Sequence, residues 1–125
     1  MIPILPGASI VADDGTILAG RVFWAGAWHE QLRGLIGLRG FGTGDALVLP
    51  GCGQVHTAFL KQAITVIFLS RDTGLGVGWW RVVAVQTLAP WRVGARVRGA
   101  GLIAVEMVTA DVCVGQAVFI GDGKK

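Results

Sequence analysis

The sequence predicts a mainly β protein, an antiparallel β-sandwich or barrel-like single domain with one short α-helix near residues 27–36. Three observations carry this expectation. Short runs rich in Val, Ile, Thr, Phe and Trp are separated by turn signals, with 20 glycines in 125 residues, which is the pattern of short strands joined by hairpins. One run, ITVIFLS at 64–70, is apolar on both strand faces, so it belongs in the middle of a sheet covered on both sides. A helical period recurs in one stretch only.

Each element follows in order. Residues 9–12 and 16–19 flank Asp13-Asp14-Gly15, an Asp-Gly turn signal, and residues 21–25 continue as a strand. Trp28, Leu32, Leu35 and Ile36 fall on one face of a helix over 27–36, while Glu30 and Arg33 can pair along it; Gly37 stops it. Residues 39–45, RGFGTGD, form a glycine-rich loop that lacks the Lys-Ser/Thr ending of a phosphate loop. Residues 46–50 are a buried strand ended by Pro50, and residues 55–58 resume as strand after a turn. Residues 71–78 make a hairpin loop into a long strand, 79–89, with Val83, Val85 and Thr87 on one face; Pro90 ends it. A basic connection, 91–99, leads to a strand at 101–108, a short turn at 109–114 and a closing strand at 115–120. Seven or more strands and one helix make a mostly antiparallel fold.

The totals set bounds. The chain is 53% hydrophobic and 15% charged, yet no apolar run approaches the ~18 residues that span a bilayer, so no transmembrane segment is expected. The N-terminus has no basic region and carries two prolines where a signal peptide would be apolar. As it stands the chain reads as cytoplasmic, or as extracytoplasmic if a signal peptide has been removed. The net charge of +3 is unevenly placed: Arg81, Arg92, Arg96 and Arg98 lie in an acid-free stretch near tryptophans. This allows nucleic-acid binding, but a solvated rim accounts for dispersed arginines without a binding motif. Cys52 and Cys113 belong to no CxxC or zinc set, so two reduced, buried thiols are expected, with a disulfide open outside the cytosol.

Few residues offer chemistry. His56 carries an imidazole, the side-chain type suited to acid–base work near neutral pH, and its neighbour Thr57 carries a hydroxyl. Glu106 interrupts an apolar strand and faces the side of Leu102, Ala104 and Val108; there it must pair, with Arg33 or Arg81, or have its pKa pushed upward. Cys52 and His56 could reach one metal ion, but two ligands are too few, so no metal and no cofactor is expected. No GxSxG elbow supports a serine hydrolase.

The order of pieces resembles the DUF192 (UPF0127) family over roughly residues 20–120. Arg33-Gly34-Leu35-Ile36 resembles its RGLM signature, and Ala46-Leu47-Val48-Leu49-Pro50 its apolar strand ending in proline. Val55-His56-Thr57 followed by residues 64–72 is similar to its VHT block and the strand after it. Residues 81–85, residues 88–92 (LAPWR) and residues 102–106 match its remaining strands. The resemblance implies a compact, mainly β domain with one helix, found in bacteria and archaea, often secreted or membrane-tethered and sometimes accompanying pilus-assembly and secretion genes, with no established activity. This chain departs from the pattern. Thr65 stands where the family usually has Asp, Ala63 where it has Pro and Leu60 where it has Met; Gln116 replaces the Asp of a late Gly-Asp. An activity needing that first Asp would be lost here.

The sequence therefore leads to a divergent, non-enzymatic binding or accessory domain that takes a small ligand or a protein partner. Arg33, His56, Thr57, Thr65 and Glu106 are the candidate binding residues. A small hydrolase-like enzyme using Glu106 and His56 is the alternative, provided the two side chains meet in a cleft, and nucleic-acid binding through Arg81, Arg92, Arg96 and Arg98 is a further one.

Overall fold

The computed structural model describes residues 3–27, 31, 41–57, 60, 62–72, 74–99 and 101–122. The expected mainly β fold is present. Eight strands, β1 (Ala8–Ala12), β2 (Ile17–Ala19), β3 (Arg21–Trp24), β4 (Asp45–Pro50), β5 (Ile64–Arg71), β6 (Trp79–Leu88), β7 (Ile103–Met107) and β8 (Ala117–Asp122), form one sheet in the order β2-β1-β8-β6-β5-β7-β4-β3. Six ladders are antiparallel, and the β3–β4 pair alone is parallel.

β5 is central, between β6 and β7, as its two apolar faces require. Ile64, Val66 and Phe68 enter one core and Ile67 and Leu69 the other. The core formed by Ile67 and Leu69 draws buried side chains from all eight strands, among them Ile10, Ala19, Val22, Val82 and Val118. Strands from both ends of the sheet share it, so the sheet curls around it. The ladder of named strands does not close, but residues 3–5 lie along the outer edge of β3: the Leu5 N–H donates to the Val22 carbonyl at 2.8 Å and the Trp24 N–H to the Pro3 carbonyl at 2.9 Å. The outer face carries a second core, centred on Leu47, Val66, Phe68 and Ala104 and covered by Val55, Leu60 and Val97 from loops.

The Asp13-Asp14-Gly15 turn joins β1 to β2 as expected; Asp14 Oδ1 accepts the Thr16 N–H at 2.9 Å, and these bonds hold its carboxyl below the usual range. β6 departs from the expected alternation. Ala84 pairs with Phe68 and Val82 with Leu69, which leaves Val83 as a bulge. One extra residue flips the faces, so Val82 and Val85 share the inner core while Val83 is exposed. Gly78, at φ +88°, precedes β6; a Cβ there would stand 2.5 Å from the Phe119 ring, which packs edge-on against Trp79.

Two further expectations change. Residues 55–57 form no strand; their backbone bonds to residues 91–94 amount to one isolated β-bridge, His56 to Val93. Cys113 is exposed rather than buried, and both thiols are free; Cys113 sits in the loop before β8, where no sheet covers it. The helix expected over 27–36, with Trp28 and Arg33, lies outside the described residues except at Ala27 and Gln31. There the Gln31 N–H donates to the Ala27 carbonyl at 3.0 Å, a helical spacing. The Gln31 amide also donates to the carbonyls of Ala25 and Pro50, at 3.0 and 2.8 Å, tying this segment to the ends of β3 and β4. Among the described residues no helix is long and apolar enough to cross a membrane.

Candidate functional site

The residues singled out by sequence do not converge. Glu106 lies on β7 opposite Leu47 of β4 and Val66 of β5, on the outer face. Its side chain is 4% exposed. Among the described residues no hydrogen bond or ion pair engages the carboxyl, and burial alone pushes its pKa up to about 8. It is therefore protonated at neutral pH. The expected pairing with Arg81 does not occur. Arg81 sits near the far end of β6, where its Nε and Nη2 donate to Asp72 Oδ2 at 3.0 and 2.5 Å and its Nη1 donates to the Gly115 carbonyl at 3.0 Å. Asp72 and Arg81 face each other across the 72–78 turn, and that proximity satisfies both. Arg33, the other expected partner, lies outside the described residues.

His56 and Thr57 belong to a ribbon formed by two loops, 53–57 and 91–97, laid over the outer core. Gly94 N–H donates to the Val55 carbonyl at 2.9 Å, Val97 N–H to the Gly53 carbonyl at 2.8 Å, and Thr57 N–H to the Arg92 carbonyl at 2.8 Å. Alternation along 55–57 turns Val55 and Thr57 inward and His56 outward. Thr57 is 0% exposed. Its hydroxyl donates to the Ala89 carbonyl at 2.6 Å and accepts the Arg92 N–H at 2.8 Å, so it pins the ribbon to the end of β6. Gly53 permits the close approach: a Cβ there would stand 2.7 Å from the Val97 carbonyl oxygen. Thr65, opposite Met107 and Thr87, faces the inner core. Glu106, Thr65 and His56 thus occupy the outer face, the inner face and the solvent.

Beside Glu106, Cys52 packs at the rim of the outer core. Its thiol donates to the Gln54 carbonyl at 3.1 Å. Burial pushes its pKa up and the nearby Glu106 adds to this, while Gln54 and Arg96 oppose it. A raised thiol pKa makes a poor nucleophile. Gln86, two strands from Glu106 on the same face, donates its amide N–H to the Ala95 carbonyl at 2.9 Å, but among the described residues its buried Oε1 has no hydrogen-bond partner. Among the described residues no group of three or more His, Cys, Asp or Glu side chains is placed to hold a metal ion.

A different place has the form of a site. The C-terminal ends of β3, β4 and β5 and the N-terminal ends of β6 and β7 meet at one end of the curled sheet. A cleft of about 910 Å3 opens there, lined by Trp24, Arg71, Trp80, Arg96 and Arg98 together with backbone at Gly99 and Gly101. This volume lies within the range of small-molecule sites, which favour the mouths of barrels. Arg71 follows the inward residue Leu69 by two positions and is held with its guanidinium carbon 5.3 Å from the centre of the Trp80 ring, a cation–π contact. Arg96 Nη2 donates to Gln54 Oε1 at 3.3 Å. Among the described residues no carboxylate lines the cleft, and the ion pairs are Arg21–Asp45 and Arg81–Asp72, so none of these acids neutralises Arg71, Arg96 or Arg98.

The sequence contained a signal for this cleft in its acid-free stretch. Arg96 and Arg98 belong to it, whereas Arg81 does not, and Arg71 comes from the hairpin expected to be only a turn. Comparison with known proteins finds no matching family model, no matching curated protein and no matching solved structure.

Proposed function

We propose that the protein is a non-enzymatic binding domain whose ligand is a small anion held at the mouth of the curled sheet. The observation that carries this is the cleft itself, with three guanidinium groups, two tryptophans and, among the described residues, no lining carboxylate. Arginine presents a planar fork matched to carboxylate and phosphate oxygens, and an uncompensated positive cleft focuses its field on anions. A binding role also agrees with the dispersal of His56, Glu106 and Thr65. The acid–base pair that a hydrolase-like reading needs would have to meet within hydrogen-bond reach, and an outward His56 does not meet a buried Glu106. Nucleic-acid binding through Arg81, Arg92, Arg96 and Arg98 is less well supported, because Arg81 is committed to Asp72 and Arg96 and Arg98 line a concavity of small-molecule size.

We also propose membership of the DUF192 family as a divergent branch, on the ordered motifs over residues 20–120; the link to secretion or pilus assembly rests on that resemblance alone. The anion reading is tested by titrating pyrophosphate while following tryptophan emission, since Trp24 and Trp80 line the cleft. Saturable change that weakens with salt and drops at least about tenfold in Arg98→Glu, as loss of a charge-assisted contact implies, supports it. An unchanged emission and an unchanged melting temperature across the titration would refute it.

A further inference from the structure

The basic cleft does not end at its arginines. A second cleft, of about 450 Å3, adjoins it and shares Trp24, Arg71, Trp80 and Ile103 with it. The second cleft is otherwise apolar, lined by Leu5, Ala8, Val77 and Ile120. Arg71, stacked on Trp80, stands at the junction, and Arg96 and Arg98 lie on one side only. Val77, on the turn before β6, is 99% exposed at the rim of the apolar side.

Resting on the anion reading above, the geometry points to an amphipathic ligand, a single aliphatic chain bearing a carboxylate or phosphate head. The head meets Arg96, Arg98 and Arg71 while the chain lies across the Trp80 and Trp24 rings toward Ile103, Ile120 and Val77. Charge complementarity fixes the head group and its orientation: an apolar tail directed into the basic half would leave three guanidinium groups without counter-charge and partly dehydrated. The apolar half fixes the tail, because it offers few polar partners to any further head-group atom. Val77 is the residue that gains most, passing from water to contact with the chain.

The experiment is a homologous series, each member kept below its micelle concentration, titrated against the intact protein by calorimetry. Acetate, hexanoate, octanoate and decanoate form one arm, the matching alkyl phosphates and inorganic phosphate a second, and the matching alcohols a third. The expected result is a tightening of about fourfold per added methylene, the increment for burying one such group, until the apolar half is filled, with each alcohol weaker than its anion by at least about tenfold. Arg98→Glu weakens every anion. Val77→Ser, a neutral substitution at a fully exposed position, weakens the long anions and leaves acetate and inorganic phosphate unchanged. Short and long anions binding equally, with Arg98→Glu still disruptive, would overturn the aliphatic tail and leave the anion reading standing. Alcohols binding as well as their matching anions overturns the charged head and with it the amphiphile as ligand. No binding by any anion removes both readings together.

Discussion

Replacing Glu106 by Gln isolates the cost of one buried carboxyl. In the folded protein its pKa is raised from the ordinary 4.5 to about 8 by burial alone. Below pH 4.5 the group is protonated in folded and unfolded chains, and it affects neither relative to the other. Between these values the unfolded chain releases a proton that the folded chain keeps, so stability falls by roughly 1.4 kcal/mol for each pH unit gained. The loss is complete above the folded value and amounts to about 5 kcal/mol; at pH 7 about 3 kcal/mol of it has been incurred. Glu106→Gln cannot ionise, so this slope vanishes. The substitution introduces two amide donors beside Leu47, Val66 and Ala104, at a constant cost of roughly 1–3 kcal/mol. The variant is therefore less stable than the parent at pH 5 and more stable at pH 8. Urea unfolding followed by tryptophan emission at pH 5, 6, 7 and 8 measures the difference directly, because every other titrating group contributes equally to both proteins. Parallel stability curves across that range would refute a neutral, buried Glu106.

Two other substitutions or reactions check the ribbon and the thiols. Thr57→Val removes a hydroxyl that bonds the Ala89 carbonyl and the Arg92 N–H; the buried groups left behind cost about 2–4 kcal/mol in denaturant unfolding, and hydrogen exchange at Arg92 and Gly94 speeds up. Native-state alkylation followed by intact mass should label Cys113, which is exposed, well before Cys52, which is partly buried with a raised pKa; equal rates would contradict the placement of Cys52.

The sheet was largely legible because its pattern is redundant. ITVIFLS could only be a central strand, and Asp13-Asp14-Gly15 could only be a turn. What escaped was local. The bulge at Val83 adds one residue to β6 and reverses the faces of Val82 and Val83, and nothing in a run of β-branched residues marks where a ladder slips. Cys113 was expected to be a buried thiol because it belongs to no CxxC or zinc set, but it lies in the turn at 109–114, which packs only in part. Glu106 was correctly marked as a carboxyl in an apolar setting, but its supposed partner Arg81 was taken by an acid nine residues away. The cleft was out of reach for a further reason. Arg71 and Trp80 face each other across the β5–β6 hairpin, but Trp24 and Arg96 come from two distant segments, and the β3–β4 pairing and the curl of the sheet bring these to the hairpin's end.

The two halves of the molecule are linked through one segment. Residues 91–97 close the outer core over Gln86 and the face that carries Glu106, and the same chain runs on to place Arg96 and Arg98 in the cleft. Gly94 fits directly over Gln86, where a Cβ would collide with Oε1, and Thr57 and Gly53 fasten the two ends of the ribbon. A loop carrying two arginines of like charge that no carboxylate among the described residues pairs would be expected to spread into water. Here it is held instead by backbone bonds to residues 53–57 and by Gln54, whose amide donates to the Gly94 carbonyl at 2.9 Å and whose oxygen accepts from Arg96. An anion in the cleft relieves the repulsion between those like charges, so occupancy should tighten the ribbon, and with it the cover of the outer core. Loosening the ribbon with Thr57→Val should in turn weaken anion binding, although Thr57 lines no part of the cleft. The thermodynamic cycle requires the loss of anion affinity in Thr57→Val to equal the difference between the substitution's cost to stability with anion bound and without it.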